Sequence, residues 1–367
     1  MKIPPFTTEE ETKILKPEIM KEIERVIDSG QFIMGPDVKS FEAEVADYLG
    51  AKHAIGVNSG TDALVIGLLA AGIGEGDEVI TTSFTFFATA EAISQVGAIP
   101  VFVDIEEDTY NIDVSLIREK ISSKTKAIIP VHLYGQAVDM GPLLSLAEEY
   151  KLKVIEDVAQ AFGSLYKDNK VGTIGDVGCY SFFPTKNLGA YGDGGLITTN
   201  DDKIAETAKM LRVHGAKKKY HNEILGFNSR LDSIQAAILR VKLRKIDEWN
   251  EGRRRVDQLY KKYLGDVSGI KLPTEKEYTM HVHHQYTTTI IKGNRDELQS
   301  HLKENGIGSM VYYPIPVHKL PLYDYDLDLP VTNKIADKVL SLPIYPHMSE
   351  EQIIEVSKVV KEYFSNI

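Results

Sequence analysis

The segment VGCYSFFPTKNLGAYGDGGLITT, residues 177–199, predicts two buried strands joined by a glycine-rich loop. The runs Val177–Ser181 and Gly195–Thr199 have the composition of strands, and a proline and three glycines between them mark a tight loop. Glycine allows a backbone to come close to a neighbouring group. Lys186 lies in this loop among aromatic residues and glycines, which makes it a candidate nucleophile, although most loop lysines lie on the surface.

Strand-like runs alternate with helical patterns on the N-terminal side of this segment. The further strand candidates are Glu78–Thr82, Ile99–Val103, Ala127–Val131 and Lys153–Glu156. Apolar residues recur at helical spacing over residues 17–29, 39–49, 62–72, 86–96 and 141–150. This alternation is typical of α/β proteins, so we predict a buried, mostly parallel sheet wound by crossover helices.

The pattern changes after about residue 230. Apolar spacing predicts one long or kinked helix over 231–262, a strand over 282–291, and helices over 295–305, 333–341 and 349–364. We therefore expect a second lobe of α+β character from about residue 245. No proline- or glycine-rich linker separates the two lobes, so they should pack tightly.

Composition excludes several classes of protein. The 367 residues include 42 Lys and Arg against 53 Asp and Glu, a net charge of −11, which argues against a non-specific nucleic-acid binder. A single cysteine excludes an internal disulfide framework and fits a reducing cytoplasm. The N-terminus lacks the apolar core of a signal peptide, and no apolar stretch is long enough to cross a bilayer. We expect a cytoplasmic protein without a nucleic-acid or membrane partner.

Ligands of wound parallel sheets bind beyond the carboxyl ends of the strands, which directs attention to two further positions. Gly60 and Thr61 open a helical pattern, where free N–H groups can hold a phosphate; a plain N-cap is the alternative. Asp157 ends an apolar run, and a buried carboxylate requires a cation or several donors. The protonated ring nitrogen of pyridoxal phosphate would serve, while a cap on the next helix is the alternative.

The order of these motifs resembles that of the DegT/DnrJ/EryC1/StrS sugar aminotransferases. The similar segments are NSGTDAL (58–64), TTSFTFFATAEAI (81–93), VFVDI (101–105), IEDVAQAFG (155–163), SFFPTKNLGAYGDGG (181–195), FNSRLDSIQAAIL (227–239) and YYPIPVH (312–318). The resemblance spans nearly the whole chain. It implies the fold type I of pyridoxal-phosphate enzymes, with a mostly parallel seven-stranded sheet. It also implies a large coenzyme-binding domain over 15–245 and a small C-terminal α+β domain over 246–367. Residues 1–14 should associate with the small domain or with the rim of the active site.

The resemblance implies roles for individual residues toward pyridoxal 5′-phosphate. Lys186 would hold the coenzyme covalently and move a proton between it and the substrate carbon, and Asp157 would pair with the ring nitrogen. Further coenzyme contacts are implied for Gln160 at the ring hydroxyl, for Gly60, Thr61 and Ser181 at the phosphate, and for Phe86 on the ring face. A core-filling role is the alternative for Phe86.

Other implied residues concern partners and substrates. Asn228 matches a residue that reaches the phosphate of the neighbouring subunit, which implies a homodimer with shared active sites. Arg230 would bind the carboxylate of the amino donor, L-glutamate. His284, Tyr313 and His318 are candidate contacts to a nucleotide-linked keto-sugar, and lobe packing is the alternative for the last two.

The loop after the lysine bears on which sugar carbon is aminated. Family members that aminate position 4 carry a Thr-Thr-Gly-Glu-Gly-Gly stretch, whereas residues 187–195 are similar to enzymes acting on 3-keto sugars. The segment HVHHQY (281–286) is similar to enzymes that make dTDP-3-amino-3,6-dideoxy sugars. We therefore expect a dTDP-3-keto-6-deoxyhexose as the acceptor. A UDP-2-acetamido-3-keto-glucuronate and a 4-keto sugar are the alternatives.

Competing readings are disfavoured by single residues. A metal site at the three histidines of 281–286 is not expected, because alternate strand positions put only two of them on one face. A family 3-dehydratase has histidine in place of Lys186. A desulfurase needs a mobile cysteine, whereas Cys179 lies within a predicted strand and should be a core residue. A regulatory sensor that binds DNA is disfavoured by the acidic charge and by the lack of a helix-turn-helix pattern.

Overall fold

The computed structural model describes residues 2–366. Its strands are β1 His53–Val57, β2 Glu78–Thr82, β3 Ile99–Val103, β4 Thr125–Ile128, β5 Lys153–Asp157, β6 Leu165–Tyr166, β7 Asn169–Lys170, β8 Val177–Ser181, β9 Gly195–Thr199, β10 Ala216–Lys218, β11 His221–Asn222, β12 Ile270–Lys271, β13 Thr279–Met280, β14 Tyr286–Ile290 and β15 Val339–Leu342. Its α-helices are α1 Glu9–Ser29, α2 Pro36–Leu49, α3 Gly60–Ala70, α4 Ala88–Gln95, α5 Met140–Tyr150, α6 Asp202–Leu211, α7 Ser233–Leu243, α8 Ile246–Leu264, α9 Arg295–Glu304, α10 Pro330–Ala336 and α11 Glu350–Ser365.

A seven-stranded sheet of order β1-β9-β8-β5-β4-β2-β3 forms the centre of the N-terminal part. Only β9 runs antiparallel to its neighbours β1 and β8, and the other adjacent pairs are parallel. The predicted α/β class with a mostly parallel seven-stranded sheet is therefore confirmed. None of the helices within residues 2–366 is both long and apolar enough to cross a membrane.

Successive residues of the central strands feed two separate apolar cores. Val154 and Leu196 point to a core shared with α2, α5 and α7, whereas Ile155 and Ile197 point to one shared with α3, α4 and α6. This alternation follows from the period-two geometry of a strand and explains the continuous apolar runs in the sequence. Cys179 is buried in the second core, as predicted.

Several predicted boundaries need correction. The strand over 127–131 ends at Ile128, after which Val131 makes only an isolated bridge to Asp157. The long helix over 231–262 is interrupted at Arg244–Lys245, which separates α7 from α8. Strand β1 was not expected, because the small residues Ala54 and Gly56 weaken its pattern.

The helix predicted over 333–341 is wrong in its second half. Helix α10 ends at Ala336, and residues 339–342 form β15, which pairs antiparallel with β14. A short apolar run fits either a buried helix or a buried strand, so the partner strand rather than the local pattern decides its conformation.

The C-terminal part has its own core. Strands β12, β14 and β15 form a three-stranded sheet that packs with α8, α9 and α11. Ile3 is buried in this core, and the Ile3 N–H donates to the carbonyl of Gly306. The division into domains at residue 245 stays a prediction, and the break between α7 and α8 lies at that position.

The carboxylate of Glu156 organises the loops around β5. It has no exposed surface and accepts four hydrogen bonds, from the N–H groups of Gly172, Ile174 and Gly175 at 2.7–2.8 Å and from His132 Nε2 at 3.0 Å. The Val138 N–H donates to His132 Nδ1, so Nε2 carries the ring proton. One side chain thus ties the loop after β4 and the turn before β8 to the strand that ends in Asp157.

We expect Glu156→Gln to lower the free energy of unfolding by about 3 kcal/mol. Glutamine has one acceptor oxygen, so in either orientation its NH2 group opposes two of the four donors. Urea denaturation followed by circular dichroism measures the change. Glu149→Gln is the control, since Glu149 pairs with Arg118 on the exposed surface and should cost less than about 1 kcal/mol. Equal stability of the two variants would contradict the assigned role.

Candidate active site

Lys186 lies in the loop between β8 and β9, at the carboxyl end of β8. The backbone N–H of Lys186 donates to the carbonyl of Phe183, which makes a tight turn at the lysine. The Nζ atom lies 3.4 Å from Nε2 of His284. Removal of the amine from water lowers the pKa of Lys186 to about 8, and the negative charge of Asp157 only partly opposes this shift. The amine is therefore half neutral near pH 8, as a nucleophile or proton acceptor requires.

Asp157 is buried at the end of β5, the central strand of the seven-stranded sheet. Its Oδ2 accepts a hydrogen bond from the Thr89 hydroxyl at 2.8 Å, and its Oδ1 accepts one from the Ala159 N–H at 3.1 Å. Burial raises the pKa of Asp157, while these bonds and the charge of Lys186 oppose the shift. A turn rather than a helix follows Asp157, so the helix-cap alternative is wrong. A carboxylate has about four acceptor positions, which leaves capacity for a further cationic donor.

The amide of Gln160 is held by two tyrosines. Its Oε1 accepts from the Tyr134 N–H at 2.9 Å, and its Nε2 donates to the Tyr313 hydroxyl at 2.8 Å. One N–H of Nε2 remains for a ligand, which limits Gln160 to a single donated contact. Tyr313 thus joins the group around Asp157 through Gln160.

The start of α3 faces the end of β8. The Ser59 side chain accepts from the Asp62 N–H at 3.0 Å, so Ser59 is the N-cap, and the N–H groups of Gly60 and Thr61 precede the first intrahelical bond. A Cβ atom at Gly60 would lie 2.7 Å from the Cβ atom of Ser181. Only glycine therefore permits this close approach, which brings two backbone donors and a hydroxyl together, as an anion site requires.

Phe86 does not fill the core. Its side chain is 59% exposed, and its ring centroid lies 6.2 Å from that of Tyr313. The core-filling alternative is therefore wrong. An exposed ring beside the buried group of Asp157 and Gln160 offers an apolar face to a ligand.

Asn228 and Arg230 follow the hairpin formed by β10 and β11. Asn228 is exposed and Arg230 is half-buried. Within residues 2–366, neither side chain makes a hydrogen bond or an ion pair, so the single chain does not bond them to the other candidate residues. Ser229 between them is buried and accepts from the Asn58 N–H at 3.1 Å, which holds this segment beside the start of α3.

His318 packs between the lobes. Its ring Nδ1 lies 2.7 Å from the hydroxyl of Ser83, and its backbone N–H donates to the same hydroxyl at 3.0 Å. Ser83 directly follows β2, so this pair ties the 312–318 segment to the sheet. These contacts favour the packing alternative for His318.

The three histidines of 281–286 point to different surroundings. His284 contacts Lys186, whereas the rings of His281 and His283 stack with their centroids 3.8 Å apart. His283, Asp257 and Glu275 place ligand-type atoms within 4.8 Å of one another. However, Lys261 Nζ donates to Asp257 at 2.8 Å, and Arg254 Nη1 donates to Glu275 at 2.6 Å. Two cations already neutralise these carboxylates, which disfavours a metal ion there.

Sequence reasoning missed three residues of the site. Thr89 bonds Asp157, Tyr134 bonds Gln160, and Asn187 bonds His284. Thr89 lies in a segment that the resemblance had already selected, and a hydroxyl residue in the first turn of a predicted helix was the available signal. Tyr134 and Asn187 act across long sequence separations and carried no local signal.

The profile of the DegT/DnrJ/EryC1/StrS aminotransferase family matches residues 13–361. The chain therefore belongs to this family, whose aminotransferases depend on pyridoxal 5′-phosphate. The residues around Lys186 fit this coenzyme, because the structure offers it a partly neutral amine, a buried carboxylate with free acceptor positions, and an anion cradle at Gly60.

Individual relatives match over nearly the whole chain. A protein of Geobacillus stearothermophilus named pleiotropic regulatory protein is 50% identical over 370 residues, 99% of each chain. UDP-N-acetyl-3-dehydro-alpha-D-glucosamine 3-aminotransferase of Acidithiobacillus ferrooxidans is 44% identical over 95% of this chain and 94% of its own. The dTDP-3-amino-3,4,6-trideoxy-alpha-D-glucose transaminase of Streptomyces venezuelae is 43% identical over 96% and 94%. The crystal structure of DesV from S. venezuelae superposes with a TM-score of 0.97 at 42% identity, covering 100% of this chain and 99% of that one.

We expect Lys186 to react with an amine-directed acylating reagent at unusually low pH once the coenzyme has been removed. At pH 8, a pKa of about 8 gives about 100-fold more neutral amine than an ordinary exposed lysine has. Mass spectrometry of peptides labelled between pH 6 and 10 measures the midpoint, with exposed Lys13 as the internal control. A midpoint for Lys186 that coincides with that of Lys13 would refute the lowered pKa.

Proposed function

We propose that this enzyme transfers the amino group of L-glutamate to carbon 3 of a nucleotide-linked 3-keto-6-deoxyhexose, with dTDP as the nucleotide. The observation that carries the proposal is the pairing of a partly neutral Lys186 with a buried Asp157 at one end of the sheet. Membership in the aminotransferase family defines the reaction class. The acceptor is supported by the loop sequence and by relatives named for 3-amino sugars.

Bound pyridoxal phosphate supplies an electron sink for the carbon that gains or loses the amino group. Asp157 would pair with its ring nitrogen, because the carboxylate is buried and keeps unused acceptor positions. Gly60, Thr61 and Ser181 would hold its phosphate at the start of α3. Phe86 would cover the ring, and Gln160 would donate its remaining N–H to the ring hydroxyl.

Lys186 would move the proton at the reacting carbon. A general base works best when its pKa lies near the operating pH, and the pKa of about 8 satisfies this condition. Two backbone hydrogen bonds hold its loop: the Lys186 N–H donates to the carbonyl of Phe183, and the Ala190 N–H donates to that of Phe182. The backbone of Lys186 is thus held in a turn, and the contact of Nζ with His284 Nε2 at 3.4 Å would direct the amine to one side of the site.

A cavity of about 300 Å³, lined by Thr185 and by the His284 that contacts Lys186, supports the 6-deoxy part of the proposal. Within the described residues its lining is uncharged, with Pro5, Phe6 and Met310 as apolar members and Tyr312 and Gln285 as polar ones. A sugar carboxylate there would need a cation to offset its desolvation, whereas a methyl group would not. This favours the deoxysugar over the glucuronate alternative.

A second subunit would complete the site. The segment around the β10–β11 hairpin leaves Tyr220 85% and Leu225 97% exposed. Exposed apolar residues on one projection are typical of an interface between protein chains. Asn228 and Arg230 lie on the same segment, so a homodimer would bring them to the phosphate and the donor carboxylate of the other copy.

A regulatory role is the alternative of a different class, because the relative from G. stearothermophilus carries the name of a regulatory protein. The two functions predict different behaviour of the purified protein. An enzyme consumes glutamate and an acceptor in equal amounts, whereas a regulator has no such turnover.

We expect Asp157→Asn to fold normally and to lose activity by about 10²–10³-fold, since an amide cannot hold a protonated ring nitrogen. Stability should be retained, because burial already disfavours the charged form of Asp157. Steady-state kinetics with a saturating coenzyme supply measures the loss. Asp168→Asn, in the exposed turn between β6 and β7, is the matched control. Activity within about threefold of the wild type would show that the carboxylate is not needed.

A panel of acceptors tests the proposed substrate. Glutamate is incubated with dTDP-3-keto-6-deoxyglucose, UDP-2-acetamido-3-keto-glucuronate and a dTDP-4-keto-6-deoxy sugar, and mass spectrometry detects the amino sugar. We expect kcat/KM for the first to exceed that for the 4-keto sugar by about 100-fold. Lys186→Ala should be inactive with every acceptor. Preference for the 4-keto sugar, or an absence of amination from all three, would contradict the proposal.

A further inference from the structure

Two asparagines behind Lys186 have orientations that backbone carbonyls determine. Asn187 Nδ2 donates to the carbonyl of Val282 at 3.0 Å and to Oδ1 of Asn250 at 2.8 Å. Asn250 Nδ2 in turn donates to the carbonyl of Phe162 at 3.1 Å. A carbonyl only accepts, so neither amide can be reversed without losing a bond. Both side chains are buried, where a lost bond is costly.

This orientation determines the tautomer of His284. Both hydrogens of Asn187 Nδ2 are engaged, so Oδ1 is the atom that meets His284 Nδ1, at 3.2 Å. Because Oδ1 can only accept, Nδ1 must carry the ring proton. His284 Nε2 is therefore an unprotonated acceptor, and it lies 3.4 Å from Lys186 Nζ.

The ring is also kept neutral and in place. Burial lowers the pKa of His284 well below its usual value, and the nearby charges of Lys186 and Arg253 add to the shift. Buried Arg253 donates to the carbonyls of His283 and His284 at 3.1 and 3.3 Å, which holds the backbone that presents the ring. Within the described residues, Nδ1 of His284 has Asn187 Oδ1 as its hydrogen-bond partner, and Nε2 has Lys186 Nζ.

We propose that Asn250, Asn187 and His284 form a positioning relay that orients the amine of Lys186. His284 Nε2 accepts an N–H of Lys186 in either protonation state, so the lone pair of the neutral amine is directed away from the ring. Asn250 belongs to α8 and His284 to the segment before β14, so the C-terminal lobe orients a lysine of the N-terminal sheet. The relay rests on the proposed function only in taking Lys186 as the coenzyme lysine.

The first test determines the tautomer of His284 in the wild-type chain. Histidine labelled with ¹⁵N gives distinct shifts for the two neutral tautomers, and the His284 signals are identified by their loss in His284→Gln. We expect a proton on Nδ1, with no titration between pH 6 and 8. A proton on Nε2, or titration in this range, would overturn the relay.

The second test measures the pH midpoint for labelling of Lys186, in the full chain from which the coenzyme has been removed. His284→Leu removes the acceptor that favours the ammonium form, so the labelling midpoint of Lys186 should fall by about half a unit or more. His284→Gln retains an acceptor oxygen, so its labelling midpoint for Lys186 should lie close to that of the wild type. A merely structural role for His284 would move neither midpoint, and identical midpoints in wild type, Leu and Gln variants would refute the proposal.

The variant Asn187→Asp tests the role of Asn187 in the relay. An anionic carboxylate beside Nδ1 favours the imidazolium form, so His284 should begin to titrate below pH 8. Unchanged shifts for His284 would contradict the relay. These readouts need no sugar, so a failed acceptor panel with an intact tautomer would reject the proposed substrate while retaining the relay.

Discussion

The buried carboxylate of Glu156, with its four N–H donors, is the interaction on which the geometry of the site depends. A buried charge is stabilised when hydrogen bonds replace its lost hydration, and for Glu156 the partners come from two separate loops. Consecutive strand residues point to opposite faces, so the same strand end turns Asp157 toward Thr89 and α4. The carboxylate of Glu156 is fully hydrogen-bonded within the fold, while that of Asp157 keeps acceptor positions for a ligand.

Burial has opposite effects on the two ionisable groups at the centre of the site. It lowers the pKa of Lys186 and raises that of Asp157, so each group is moved toward its neutral form. Neither shift is complete, because the two charges attract each other. Such a pair responds strongly to a charged ligand, which suits a site where a lysine must both hold a coenzyme and transfer a proton.

Rules about strand ends and helix starts were enough to select Lys186, Asp157 and Gly60 from the sequence, and the structure brings all three to one end of the sheet. The same rules could not exclude a cap role for Asp157 or a core role for Phe86. The exposure of Phe86 excludes its core role, and the turn that follows Asp157 excludes its role as a helix cap. For His318, contacts with Ser83 favour packing over ligand binding. The decision for His318 depends on a neighbour that is 235 residues away in the chain.

The sequence by itself determined the α/β class, the parallel sheet and the loop that carries Lys186, because these follow from hydrophobic period and from glycine and proline positions that act locally. Only the tertiary structure decided that residues 339–342 form a strand, since pairing with β14 outweighs an ambiguous local pattern. It also decided which nitrogen of His284 carries the proton. That choice depends on Asn187, 97 residues away in the chain, and on carbonyl groups that no local pattern reveals.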